Sequence, residues 1–407
     1  MSNNLDCLEL SKQLIRFKSV TPNSEGSIEF LSTLLQELGF KCELKTFTGN
    51  NSYPVQNLYA RYGTQSPVLG FCGHLDVVPA GKTENWQSDP FIPTESLWPI
   101  EINNIEGVKA FNTKNNAEDK ELFLVGRGAE DMKTGVACFL SATADFIKSK
   151  QFKGSIVFLI TMDEEALSVN GIEPLMKWLN NQGEKIDDCL VGEPSSIYTL
   201  GDYIKIGRRG SLDFDLKVKG KQGHIAYPKD FNNPLRTLIK VVDEFNSLVL
   251  DQGTSYFPAS NLEVVSIDTN NTAYNLVPAE AKAIGNIRFN NLHSFEQLKE
   301  QLNYIVSKYE GVAIAFENKP SNASIIDINC RVYQCMSKAI NNILKISPQP
   351  TTKGGTSDAR FIANYCPVVE FGLPSRTLHQ ANERVKIKDL YTLTEVYKEF
   401  LSQYFIS

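Results

Sequence analysis

Hydrophobic periodicity in this chain changes character at Gly207, and no other feature constrains the fold as much. Before it, continuous apolar runs, VLGFCG (68–73), IVFLIT (156–161) and CLVG (189–192), alternate with stretches of helical spacing, Val136 to Ile147 and Ile172 to Leu179. Continuous apolar runs suit strands buried on both faces, so the alternation predicts an α/β layer with a mostly parallel central sheet. An earlier stripe of Ile28, Leu31, Leu34, Leu35 and Leu38, ending at Gly39, predicts a helix.

After Gly207 the period becomes two. Apolar residues alternate from Ser211 to Val218; a helix follows with Leu235, Leu238, Ile239, Val242 and Phe245 on one face, then the strands LEVVSI and AKAIGNIRF. A second helix opens with Ser294 and Gln297, a capping box, and turns Phe295, Leu298, Leu302 and Ile305 inward before the strand VAIAF (312–316). This is β-α-β-β-α-β, the ferredoxin-like order. Helical periodicity resumes from Ile325 to Leu344, so the expected organisation is one domain of 1–207 and 321–407 interrupted by an inserted α+β domain, 208–320. A chain of 407 residues also exceeds what one core usually serves. The segment 94–121, mixing short apolar and polar pieces, fits neither pattern and reads as a surface excursion.

Composition removes several functional classes. Lys plus Arg number 41 against 47 Asp plus Glu, with no basic tract, which argues against a nucleic-acid partner. The opening MSNNLDCLELSK is charged where a signal peptide needs an apolar core, and no apolar run is long enough for a membrane span, so a cytoplasmic protein is expected. Eight cysteines are scattered without a CxxC pair and read as reduced thiols.

Only four histidines occur, His74, His224, His293 and His379. In parallel α/β sheets ligands sit beyond the carboxyl ends of the strands. His74 and Asp76 follow the first apolar run; Asp131 precedes a helix; Asp163, Glu164 and Glu165 follow IVFLIT; Glu193 follows CLVG. Singly, each has an ordinary explanation: a helix cap at Asp131, a helix-dipole partner at 163–165, a turn residue at Glu193. Together they are carboxylates crowded on one edge, which repel unless a cation neutralises them. Donors of nitrogen and carboxylate oxygen without thiolate suit zinc, with cobalt or manganese as alternatives. His74, Asp131, Glu165, Glu193 and the distant His379 supply five ligands, enough for two divalent ions sharing a bridging carboxylate. Asp76 would hydrogen-bond the other ring nitrogen of His74, and Glu164 remains free to take a proton from water.

GHLDVVPAG around His74, GRGAEDMKTG around Asp131, TMDEEA around Glu164 and Glu165, and VGEPSS around Glu193 resemble the dinuclear zinc aminoacylase and carboxypeptidase family. The resemblance runs from about residue 10 to about 400, and it implies a zinc-peptidase-like catalytic domain with an inserted dimerisation domain. It further implies His74 and Glu193 on one metal, Glu165 and His379 on the other, Asp131 bridging, and Glu164 as general base. His224 is implied to reach a partner subunit's site and stabilise the oxyanion; without the resemblance it would read as a turn histidine. His293 lies in no motif and reads as a surface residue. GRRGSL (207–212), GKQGHIAYP (220–228), GGTSDARF (354–361) and LHQANERV (378–385) narrow the resemblance to deacylases whose small-molecule substrate carries three carboxylates and one ammonium group. That places Arg208, Asn275, Arg288, Gly355 and Thr356 among the candidate substrate-binding residues, with Arg209 structural. The chain departs from the family at Ala359, usually glycine; at Glu130, usually small; and in the length of 94–121. Glu164 together with all five candidate ligands speaks against a non-catalytic scaffold.

Overall fold

The computed structural model describes residues 5–49, 52–99, 120–316 and 322–406. The chain divides into two compact units, Met1–Ile206 with Ile326–Thr351 and Gly355–Ser407, and Gly207–Ile325 with Thr352–Gly354.

The first unit is built on an eight-stranded sheet. Its spatial order is Lys41–Phe47, Val55–Tyr62, Ser155–Thr161, Val68–His74, Asp188–Val191, Val368–Glu370, Tyr203–Lys205, Gln349–Thr351. The four central strands run parallel. The first two strands join antiparallel, as does Tyr203–Lys205 against Val368–Glu370, so the sheet is mixed outside its centre. Periodicity picks out the central strands because they are sealed on both faces; every residue of Val68–His74 and Ser155–Thr161 is buried. The outer strand KCELKTF is half solvated and carries no such signal.

Helices Lys133–Ser149 and Ile387–Phe405 pack together against this sheet. Phe71 stacks on Phe139 at 4.0 Å between centroids, with Phe158 and Tyr397 edge-on to Phe139. Each such buried aromatic contributes roughly 1.5–3 kcal/mol by burial alone. The helix Ser27–Glu37 ends as the stripe predicts, with Gly39 at φ 92°. An unanticipated helix, Cys7–Arg16, precedes it; its signal was Asp6, whose carboxylate accepts from Leu8 N and Glu9 N, ahead of Leu10, Leu14 and Ile15.

In the second unit the order strand, helix, strand, strand, helix, strand is realised as a four-stranded antiparallel sheet: Asn261–Asp268, Glu280–Phe289, Gly210–Lys219, Val312–Phe316. Leu212, Phe214, Leu216 and Val218 face a core shared with helices Pro234–Asn246 and Phe295–Ser307. The Ser294 and Gln297 capping box forms with both reciprocal bonds. Ile239, expected inside, is 59% exposed, and Val241 is buried instead because the helix presents 238, 241, 242 and 245. The helix anticipated from Ile325 begins only at Arg331, since Ser324–Ile325 pairs antiparallel with Gly207–Arg208. A side chain at 207 would overlap the Ser324 carbonyl, so glycine stands where the periodicity changes.

The 94–121 segment is regular at both ends. Thr94–Pro99 pairs antiparallel with Lys120–Val125, and Arg384–Lys386 adds a third strand. The interior, 100–119, lies outside the described residues.

Candidate metal centre

The sheet order explains why distant residues meet. Strands Ser155–Thr161, Val68–His74 and Asp188–Val191 are parallel neighbours, so Glu164 and Glu165, His74 and Asp76, and Glu193 leave the sheet at one edge. Asp131 comes from the turn before helix Lys133–Ser149, across a cis Asp131–Met132 peptide. That helix approaches closely because position 135 is glycine; a Cβ there would stand 2.7 Å from the Gly192 carbonyl. His379 follows strand Val368–Glu370 in a loop, with φ 60°.

Two half-sites result, joined at Asp131. His74 Nε2 lies 3.0 Å from Asp131 Oδ1, 3.5 Å from Glu193 Oε1 and 4.0 Å from Glu164 Oε2. His379 Nε2 lies 3.3 Å from Asp131 Oδ2 and 3.1 Å from Glu165 Oε2. Potential donor atoms of His74, Glu164 and Glu193, and of His74, Asp131 and Glu165, all lie within 4.8 Å of one another in each group. Among the described residues, Glu165 Oε1 is buried without a hydrogen-bond partner. Two converging sets of hard and borderline donors, sharing one carboxylate and leaving a buried oxygen unsatisfied, fit a pair of divalent ions.

Electrostatics point the same way. Burial, then Asp131, pushes Glu193 up to about 7. Burial, then Glu193, raises Glu164 well above the ordinary carboxylate range. Hydrogen bonds to Asp131 and Glu165 carry His379 up to about 10. For His74 burial opposes the charged form, yet Asp131 and Glu193 raise its proton affinity above the usual range. The raised proton affinities of both imidazoles mark an excess of negative charge around them, a demand for positive charge that metal ions would meet.

One expectation is corrected. His74 Nδ1 lies 2.9 Å from the main-chain oxygen of Asp76, whereas the Asp76 carboxylate is 3.6 Å away. The carbonyl, which can only accept, thus keeps the proton on Nδ1 and leaves Nε2 free to ligate. The Asp76 carboxylate instead accepts from Thr21 Oγ1 at 2.7 Å, Glu165 N at 3.1 Å and Glu164 N at 3.2 Å. It positions the backbone that carries both glutamates. Asp163 does similar work for the next loop, accepting from Tyr53 Oη, Val169 N and Asn170 N.

The remaining candidates fall elsewhere. Gly355 and Thr356 are exposed residues of the first unit. Arg208, His224, Asn275 and Arg288 belong to the second. There Gly223–His224 pairs with Leu276–Val277, and Asn275 Nδ2 stands 3.4 Å from His224 Nε2. Register places Arg288 opposite Ser211, three residues beyond Arg208. Arg209 donates to Asn261 Oδ1 at 3.2 Å. His293 is not a free surface residue: its Nε2 meets Asp251 Oδ2 at 3.0 Å, and Asp251 also accepts from Gly253, Ser260 and Asn290. Sequence reading assigned no role to Glu383, which is fully buried and binds Arg127 at 2.7 Å. Its available signal was a glutamate four residues after His379 in a chain where a buried carboxylate needs donors.

The pattern of Peptidase family M20/M25/M40 matches residues 70–403. Among curated proteins, the chain is 44% identical to the succinyl-diaminopimelate desuccinylase of Rickettsia felis over 398 residues, covering 96% of this chain and 98% of that one. It is likewise 44% identical to that of Rickettsia akari over 395 residues, covering 96% and 97%. Among solved structures, a family M20 metallo-carboxypeptidase from Sulfolobus solfataricus superposes with TM-score 0.72 at 19% identity, covering 99% of both chains. A tripeptidase from Staphylococcus aureus gives 0.70 at 21% identity, covering 98% of both. These two likenesses concern the fold.

Binding of a metal ion through His379 would expel the proton of that ring, whose affinity for it is raised to about 10. Because protons compete with the cation throughout the range below that value, affinity should rise with pH, by about tenfold per unit for each proton released. Calorimetric titration of metal-free protein with cobalt at pH 6, 7 and 8 should show this rise; a pH-independent affinity would contradict the protonated state assigned to the free site.

Proposed function

Because the chain belongs to Peptidase family M20/M25/M40, we propose that it is a metal-dependent amidohydrolase cleaving N-succinyl-LL-2,6-diaminopimelate to succinate and LL-2,6-diaminopimelate. The reaction belongs to diaminopimelate and lysine synthesis, for which the cytoplasm is the proposed location. The observation that carries the chemistry is the division of Asp131 between His74 and His379, one carboxylate oxygen to each. The substrate rests on 44% identity across 96% of the chain to desuccinylases. A related deacylase, such as an acetylornithine deacetylase, aminoacylase or carboxypeptidase, is the second reading; GGTSDARF and GRRG favour the desuccinylase.

His74 and Glu193 would hold one ion, Glu165 and His379 the other, and Asp131 both; zinc is the proposed occupant and cobalt the alternative. Divalent ions held by these residues would supply Lewis acidity toward the amide carbonyl and would lower the pKa of water toward neutrality. Glu164 accepts the proton of the attacking water and passes it to the leaving amine nitrogen. Its surroundings suit both steps, because burial raises its proton affinity and Asp76 fixes its backbone. His224 is the proposed oxyanion donor, acting on the site of a second copy in a homodimer formed through the inserted unit. His224 Nδ1 accepts from Ala226 N at 3.1 Å, which fixes the orientation of the ring. Arg208, Arg288 and Asn275, with Gly355 and Thr356, are proposed to bind the substrate carboxylates, and the planar guanidinium is well shaped for that.

Purified protein should release succinate from the succinylated substrate, lose that activity on chelation and regain it with zinc or cobalt. Glu164→Gln should retain both ions yet lose at least about a hundredfold in kcat, the scale of a missing general base. A variant turning over within tenfold of the parent would remove Glu164 from the role.

Mixing His224→Ala chains with Glu164→Gln chains should regenerate one competent site per heterodimer. No regain of activity, with subunit exchange verified, would refute action across the interface.

Arg288→Ala should lower kcat/KM for the succinyl substrate by about 10- to 150-fold, the value of one charged hydrogen bond. A neutral acetyl amide should be much less affected. Equal losses on both would exclude Arg288 as the selectivity element.

A further inference from the structure

The segment carrying Asp131 and the segment carrying His379 are tied by two buried carboxylates that point in opposite directions along the chain. Glu383, on the His379 side, accepts at Oε2 from Arg127 Nη1 at 2.7 Å and Gly128 N at 3.0 Å, and at Oε1 from Glu130 N at 2.7 Å and Asp131 N at 3.0 Å. Glu130, on the Asp131 side, accepts at Oε1 from Arg376 N at 2.8 Å and at Oε2 from Thr377 N and Thr377 Oγ1, both at 2.7 Å. Glu130 is 1% exposed and Glu383 is 0%. Thr377 Oγ1 in turn accepts from Arg384 N at 3.0 Å, closing the loop that holds His379.

We propose that Glu130 is a positioning residue of the metal centre: with Glu383 it clamps residues 126–131 to residues 376–384 and so sets the separation of Asp131 from His379. The inference rests on the reading of this centre as a two-ion site. Glu130 adjoins one proposed ligand in sequence, and its donors end two residues before the other. Asp131 and His379 face each other across 3.3 Å although 248 positions separate them in the chain, so their spacing depends on whatever joins the two segments. Both oxygens of Glu130 are occupied by donors that are fixed in the main chain or, for Thr377, held by a second bond. A small residue at 130 would leave the Arg376 and Thr377 N–H groups without this acceptor. An amide would present a donor to one of them. The clamp bears mainly on the half-site of His379 and Glu165, because every donor to Glu130 lies in the segment that carries His379, whereas the His74 half-site shares only Asp131 with it. A merely stabilising role would treat the two half-sites alike.

The test is cobalt titration of metal-free wild-type, Glu130→Ala, Thr377→Val and His379→Ala protein, followed by calorimetry and by the visible absorption of bound cobalt. In Glu130→Ala one binding event should stay within about twofold of wild type and the other weaken by about 10- to 100-fold, the scale for groups that orient ligands. The absorption change should match the ion weakened in His379→Ala. Thr377→Val should shift the same event in the same direction by less, and it decides the matter by the same criteria if Glu130→Ala does not fold. Unchanged binding, or equal weakening of both events, would overturn the inference while leaving the two-ion centre intact. Fewer than two cobalt ions in the wild type would overturn the two-ion reading and the inference with it.

Discussion

Repulsion among carboxylates is the constraint on which the rest of this structure depends. Asp131, Glu164, Glu165 and Glu193 leave the sheet or its neighbouring turn within a few ångströms of two imidazoles, in surroundings that are mostly buried. Such a cluster is compatible with a stable fold only where positive charge is supplied. The raised proton affinities of His74 and His379 express that demand, and metal ions would meet it. Burial, and after it Glu193, raises the proton affinity of Glu164, so the basicity proposed for that residue arises within the same cluster.

A second group of acidic side chains keeps the first in place without adding ligands. Asp76 receives the backbone N–H groups of Glu164 and Glu165; Asp163 receives those of Val169 and Asn170; Glu383 receives those of Gly128, Glu130 and Asp131. Main-chain N–H donors satisfy these buried carboxylates, joined at Glu383 by the Arg127 guanidinium. Loops that present the candidate ligands are thereby held by several bonds each. Glycines complete the arrangement where backbones meet: Gly135 lets the helix after Asp131 come against the strand end that bears Glu193.

The inserted unit follows a different logic. One face of its antiparallel sheet is covered by two helices, so half of each strand is solvated and the apolar residues alternate. In the first unit the central strands are covered on both faces and alternation vanishes. The change at Gly207 is therefore the imprint of a change in layering, and the glycine is required because the outgoing and returning strands touch there.

Periodicity determined the two architectures, the order of elements in the inserted unit and the central strands of the other, because burial on one or both faces writes directly into residue order. Motif content determined the candidate ligands and base, since so few side chains can perform that chemistry and His74, Asp131, Glu164, Glu165 and Glu193 follow strand-like runs or precede a helix. What residue order could not carry were the partners of those side chains. That His74 is oriented by the main-chain oxygen of Asp76 and not by its carboxylate is a matter of ångströms, 2.9 against 3.6. The antiparallel flanks, the late start of helix Arg331–Leu344, the pairing of His293 with Asp251, and the reciprocal use of Glu130 and Glu383 all join residues far apart in the chain or hinge on a turn. Hydrogen bonds depend on distance and direction between groups that only the folded backbone brings together, so the tertiary structure decided them.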